Sequence, residues 1–153
     1  GREEGPGSRA LALAGRLQGR VPVAVGVSGE TAGTARRFAC QLNENTKIPA
    51  FWAEVPEFGH NLISGFPRGV KTAVAPVFFL KRASGETRRI RACTAVLESC
   101  GARPVVVRDE EGGGVLELIA LGDLASWELA RMRGTDPTPI PTIDKMKEIL
   151  AKS

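Results

Sequence analysis

The run Val21-Pro22-Val23-Ala24-Val25-Gly26-Val27 (VPVAVGV) decides the fold. It is apolar from end to end and rich in β-branched residues, with no polar residue in alternation. That is the signature of a strand buried on both faces. Such a strand needs a layer above it and a layer below it, and the flanking sequence supplies both. Just after it, Ser28-Gly29-Glu30-Thr31 and Gly33 make a turn. From about Thr34, Ala35, Phe38, Ala39 and Leu42 then recur at helical spacing. Ahead of it, Ser8 is placed to cap a short helix through Leu17, with Leu11, Ala14 and Leu17 on one side.

The same unit repeats downstream. Pro49–Val55, Val74–Leu80 and Arg103–Arg108 read as further strands, the third strand tolerating Pro76 where a lost N–H matters little. Thr87–Cys100 reads as a helix with Ile90, Cys93, Thr94 and Leu97 inward, Arg88, Arg89 and Arg91 outward, and Gly101 as its stop. Val115–Met132 is a long helical stretch whose apolar residues point in nearly every direction. It is expected to be buried on all sides, by the core or by a second subunit. Thr138 reads as an N-cap with Pro139 at the first helical position, opening a last helix to about Ala151 with Ile143, Met146 and Leu150 inward. Strands alternating with helices predict an α/β fold: a parallel sheet flanked by helices on both faces, in three layers, with C-terminal helices. Residues 1–7 read as a linker or cut end, and 8–153 as one domain.

Bulk properties narrow the function. At 153 residues, 42% hydrophobic and 25% charged, the chain has an ordinary soluble composition. A net charge of +4 suits a phosphorylated small molecule or an acidic partner. With 5% aromatics and no basic run interleaved with them, nucleic acid is excluded as a partner. Cys40, Cys93 and Cys100 form no CxxC pair and leave an odd count, which fits reduced thiols in a cytoplasm. A single histidine leaves too few ligands for zinc, and no apolar run approaches a membrane span.

The unusual polar groups gather in Gln41–Leu62 (QLNENTKIPAFWAEVPEFGHNL). Glu44 falls at the end of a helix, where the dipole disfavours a carboxylate. It is flanked by Asn43 and Asn45, with Lys47 one turn on. Two readings stand: a general base, or a solvated helix end compensated by Lys47. His60, in the turn PEFGHN, is suited to proton transfer near neutral pH or is an ordinary surface residue. The Ser28–Thr31 turn opens a helix that can hold a phosphate on its backbone N–H groups. Its glycine spacing matches neither the dinucleotide fingerprint nor the P-loop, and a capped strand-to-helix turn is the simpler reading. Lys145 and Lys147 lie on the last helix. Cys93 and Cys100 read as structural thiols on one helix face.

The motifs Asn43-Glu44-Asn45-Thr46-Lys47-Ile48-Pro49-Ala50, Pro56-Glu57 and His60-Asn61 resemble the bacterial and archaeal bifunctional phosphoglucose/phosphomannose isomerases, and in particular their C-terminal sugar isomerase (SIS) half. Gly122–Ser126, Gly134–Ile140 and Ile143–Lys147 are similar to the closing segments of that family. The resemblance implies an SIS-like fold and isomerisation of glucose 6-phosphate or mannose 6-phosphate to fructose 6-phosphate through a cis-enediol. Glu44 is then the base that moves a proton between C1 and C2. His60 assists ring opening from the neighbouring subunit of a homodimer, and Lys147, or its near neighbour Lys145, lines the site. Asn43, Asn45, Lys47 and Thr138 are then expected at the substrate. No metal or organic cofactor is implied, and the setting is cytoplasmic. Two features depart from the family. The usual acid after His-Asn is Leu62 here, and no Ser/Thr-rich phosphate loop of an N-terminal half is present in this sequence. They keep open a non-catalytic module that binds a sugar phosphate or only dimerises.

Overall fold

The computed structural model describes residues 5–69, 73–110 and 112–152. The four strands are β1 (Val21–Val27), β2 (Phe51–Val55), β3 (Val74–Leu80) and β4 (Val105–Arg108). They form one parallel sheet in the order β2-β1-β3-β4. The helices are α1 (Pro6–Leu17), α2 (Ala32–Thr46), α3 (Thr87–Ser99), α4 (Gly114–Met132) and α5 (Pro141–Leu150), with short 3-10 turns at Glu57–Gly59 and Leu62–Gly65.

The sheet is covered on both faces, as the continuous apolar strands require. On one side Ala24, Val77, Phe79, Val105 and Val107 pack against Leu13 and Leu17 of α1, Phe38 and Leu42 of α2, and Leu118 and Leu129 of α4. On the other, Val23, Val25, Val27, Val55, Phe78 and Leu80 pack against Phe58 and against Ile90, Cys93 and Leu97 of α3. The period-two pleat thus sends neighbouring residues of β1 and β3 into different cores. An edge-to-face ring pair anchors each core: Phe38 with Phe79 at 5.2 Å, and Phe58 with Phe78 at 5.3 Å. Thr31, fully buried, ties the layers by hydrogen bonding. Its hydroxyl accepts from the Val27 N–H at 2.8 Å and donates to the Phe79 carbonyl at 2.6 Å.

Two prolines inside strands explain where pairing begins. Pro22 immediately precedes Val23, the first β1 residue in register with β2. Pro76 immediately precedes Val77, the first β3 residue in register with β4. Each missing donor falls before the ladder to the outer strand starts, while both prolines lie within the β1–β3 register. Accordingly β2 begins at Phe51 and β4 at Val105, two residues later than the sequence reading of each.

Three helices depart from expectation. Helix α1 starts at Pro6, whose fixed φ suits the first turn, and Ser8 lies inside it, donating to the Gly5 carbonyl at 2.7 Å rather than capping. Residues 1–4 of the expected terminal linker lie outside the described residues. Helix α4 is not buried on all sides by the core of its own chain, so of the two covers expected for it the core alone is excluded. Leu118, Leu121, Ala125 and Leu129 are buried, but Leu116, Leu124 and Trp127 are exposed. Helix α5 starts at Pro141, not at Pro139 after a Thr138 cap. Ile140 precedes a proline, is held out of the helical region (φ −123°, ψ 58°), and delays the start. The Thr138 N–H is instead taken by the Asp136 carboxylate at 2.9 Å. None of α5 is buried, and Met146 and Leu150, expected inward, are more than half exposed. Among the described residues, no helix is long and apolar enough to cross a membrane.

Candidate active site

Glu44 sits in the last turn of α2, exposed. The chain then turns at Lys47, the only non-glycine among the described residues with positive φ (56°), and enters β2. Two side chains hold this turn. The Asn43 amide clasps one residue of the chain entering β2: its Oδ1 accepts from the Ala50 N–H at 2.7 Å and its Nδ2 donates to the Ala50 carbonyl at 3.2 Å. The Lys47 ammonium donates to the Glu44 carbonyl, one of the orphan acceptors of the helix end, and to the Pro137 carbonyl at 3.2 Å. The second bond pins the connector that leads into α5.

The result is a pocket of about 390 Å³ lined by Asn43, Glu44 and Lys47 on one side and Ile140, Pro141, Thr142 and Ile143 on the other. It pairs a carboxylate with the N-terminal turn of α5. That turn is the positive end of the α5 dipole, a setting that favours developing negative charge, although the Ile143 and Asp144 N–H groups are already bonded to the Ile140 carbonyl. Arg37, two turns back on α2, is bound by Asp123 of α4 through Nη2 at 2.8 Å. Its guanidinium is held above the ordinary arginine range by that hydrogen bond and by the charge of Asp123, and more weakly by Glu44.

Other expected site residues fall elsewhere. Asn45 points into the α2–α4 seam, where its amide donates to the Ser126 hydroxyl at 2.8 Å and to Gln41 at 3.2 Å. Thr138 does not line the pocket. Thr142, which occupies the position at the start of the last helix that was expected of Thr138, does. The proline after Ile140 is the signal that could have found it. Lys147 is not a lining residue, but it lies one turn beyond Ile143 on the same helix face. Lys145 lies off that face and pairs with Glu148 at 3.2 Å.

His60 is exposed and follows the Glu57–Gly59 turn, its N–H bonded to the Glu57 carbonyl at 2.9 Å. Beside it the Asn61 amide donates to the Glu57 carboxylate and accepts from the Leu62 N–H. Helix α2 runs back against the strand direction, so Glu44 lies where β2 begins and His60 where β2 has ended. Five residues of strand at about 3.3 Å each put roughly 16 Å between those two ends. Within one chain, the two residues do not share a pocket.

The fold, a four-stranded parallel sheet covered by helices on both faces, is shared with solved structures. A hypothetical protein from Thermus thermophilus superposes with a TM-score of 0.74 at 16% identity, over 96% of this chain and 44% of that one. A glucose-6-phosphate isomerase like protein from the same organism gives 0.67 at 18% identity, over 92% and 47%. The chain belongs to the bacterial phospho-glucose isomerase C-terminal SIS domain family, which it matches over residues 7–150. It is 32% identical over 146 residues to the bifunctional phosphoglucose/phosphomannose isomerase of Aquifex aeolicus, covering 92% of this chain and 45% of that protein. The chain thus spans a little under half the length of that relative.

Proposed function

We propose that the chain carries the catalytic residues of a phosphosugar aldose–ketose isomerase acting between glucose 6-phosphate or mannose 6-phosphate and fructose 6-phosphate. The observation that carries the reading is the Glu44 carboxylate in a pocket faced by the first turn of α5. A proton on the carbon next to a carbonyl is acidified because its loss gives an enolate. A carboxylate placed between C1 and C2 takes that proton from one carbon and returns it to the other through a cis-enediol. The α5 N-terminus, with the Thr142 hydroxyl, meets the negative charge that develops on oxygen. Asn43 and Lys47 act as positioning residues for the turn that carries Glu44, since their polar atoms are already engaged with backbone. Lys147, on the pocket-lining face of α5, adds positive charge from one turn away. His60 opens the sugar ring in the pocket of a second copy, because its own Glu44 is at the far end of β2. The setting proposed is cytoplasmic, with residues 8–153 as one domain.

Leu62 favours a second reading. It leaves His60-Asn61 followed by an apolar residue, and a domain that binds a sugar phosphate without turnover also fits that change.

The test is complementation in the protein as its full reading frame encodes it. Glu44→Gln and His60→Ala should each lower turnover by roughly 10²-fold or more. Mixed after dissociation and reassociation, half the dimers are hybrids with one intact site of two. Activity should therefore return to roughly a quarter of wild type. Retention of turnover by Glu44→Gln removes the catalytic reading. Phosphosugar binding by calorimetry with no turnover in the wild type selects the second one.

A further inference from the structure

We infer that Arg16, Arg20 and Arg103 form a binding site, at the entry to β4, for an oxyanion of the phosphate class, free or carried by a small metabolite. The inference is independent of the reading of Glu44. In the sheet β4 lies three strands from β2, roughly 14 Å at about 4.8 Å per strand, and the Glu44 pocket is at the start of β2. The two sites are therefore separate.

Three observations carry it. The first is the way the backbone gathers the side chains. Arg16 stands in the last turn of α1, and Arg20 just before β1. The Arg16 guanidinium donates to the Pro104 carbonyl at 3.2 Å, and the Arg20 guanidinium to the Arg103 carbonyl at 3.2 Å. Two cations are thus tied to consecutive residues of the chain entering β4, and one of those residues is itself an arginine. Arg20 also donates to the Arg16 carbonyl at 3.3 Å and to the Val74 carbonyl at 2.9 Å. Its position is fixed from α1, β3 and the β4 entry at once.

The second is charge without compensation. Elsewhere arginines meet carboxylates: Arg9 meets Glu117, Arg37 meets Asp123, Arg89 meets Glu86 and Arg131 meets Glu128. Among the described residues, no ion pair includes Arg16, Arg20 or Arg103. Burial holds the Arg20 guanidinium below the ordinary arginine range, and the charges of Arg103 and then Arg16 push it the same way. Three like charges within mutual reach are opposed only by backbone carbonyls. An anion among them relieves that repulsion and gains charge-assisted hydrogen bonds.

The third is donors and room. A guanidinium carries five N–H donors in a planar fork that matches phosphate oxygens. Arg16 spends one nitrogen on Pro104, and the exposed Arg103 side chain has no hydrogen-bond partner among the described residues. Capping of backbone carbonyls accounts for Arg20 but leaves the Arg103 guanidinium without a task. Arg16 also walls a groove of about 280 Å³ between α1 and β4, with Ala12, Leu13, Val105 and Val106 along it. Arg9, at the other end of the groove, is already neutralised by Glu117 and Glu110. A phosphate therefore sits at the Arg16 end, and the organic part of a phosphate monoester lies along the apolar wall.

Phenylglyoxal modification of arginines in the full-length protein, mapped by peptide mass spectrometry, tests this. Inorganic phosphate at millimolar concentration should slow the modification of Arg16 and Arg103 several-fold against chloride at equal ionic strength. Arg133, exposed at the end of α4, should react alike in both. Fructose 6-phosphate separates the two sources. Stronger protection than by phosphate at equal concentration marks a metabolite that also fills the groove, and equal or weaker protection marks free phosphate. Arg103→Gln should keep the wild-type Tm in chloride and raise the phosphate concentration that protects Arg16 roughly tenfold. The inference is overturned if phosphate protects neither arginine beyond chloride, or protects Arg133 as well. It is also overturned if Arg103→Gln leaves the protecting concentration unchanged, or lowers Tm in chloride, since Arg103 then serves the fold.

Discussion

Replacing Asn43 by alanine separates a positioning role from a substrate contact. The Asn43 amide makes both an accepting and a donating bond to Ala50, and the site is partly buried. At about 0.5–1.5 kcal/mol net for each hydrogen bond, the loss is about 1–3 kcal/mol. For a domain of this size, roughly 2–4 °C of Tm goes with each kcal/mol, so a loss near 2 kcal/mol lowers Tm by about 4–8 °C. The same change frees the turn between α2 and β2 on which Glu44 stands. Misplacing a reacting group by about 1 Å costs on the order of 10²-fold, so kcat should fall well before KM moves. Asn43→Asp keeps the acceptor for the Ala50 N–H and should fall between the two. Differential scanning calorimetry and steady-state kinetics on the same preparations read both quantities. An unchanged Tm with a raised KM would refute the reasoning, because it would mean that the amide is spent on substrate and not on Ala50.

Further outcomes follow from buried groups. Thr31→Val keeps the shape but leaves the Val27 N–H and the Phe79 carbonyl without the hydroxyl, a loss of about 2–4 kcal/mol to be read by urea unfolding. Gly26→Ala should be worse tolerated than any other glycine substitution in β1–α2, at about 3 kcal/mol or more, since its Cβ would lie 2.5 Å from the Ala32 Cα and the Thr31 carbonyl oxygen. Burial pushes the Cys93 thiol pKa up, against a smaller opposing pull from Arg89. The folded state therefore holds that proton more tightly than the unfolded chain, and the stability linked to it is complete below the unfolded thiol pKa and lost as pH rises through the folded one. Melting curves from neutral to alkaline pH should show the decline in wild type and a smaller one in Cys93→Ala, and iodoacetamide at neutral pH should modify exposed Cys40 well before Cys93.

The strands were legible in the sequence because their apolar runs are continuous, and β1 and β3 match their sequence spans residue for residue. Where the reading slipped, a proline rule had been left unused. Pro141 excludes Ile140 from a helix, which moves the start of α5 and exchanges Thr138 for Thr142 at the pocket. The direction of Asn45 was also within reach of sequence. Residues two apart on a helix face different ways, so Asn43 and Asn45 do not flank Glu44 on one surface. The exposure of one side of α4 was not legible, because its side chains are apolar on the exposed face as well. Nor was the separation of Glu44 from His60. Their spacing along the chain says nothing of distance until α2 is seen to end where β2 begins and His60 where β2 has ended.

That separation has a kinetic meaning. If Glu44 and His60, at opposite ends of β2, are halves of one site as proposed, folding one chain prepares both groups but completes no site. On the proposed reading, the initial rate grows with the square of chain concentration while monomers dominate, and becomes linear only once pairs have saturated. Turnover per chain would then report how much of the protein is present.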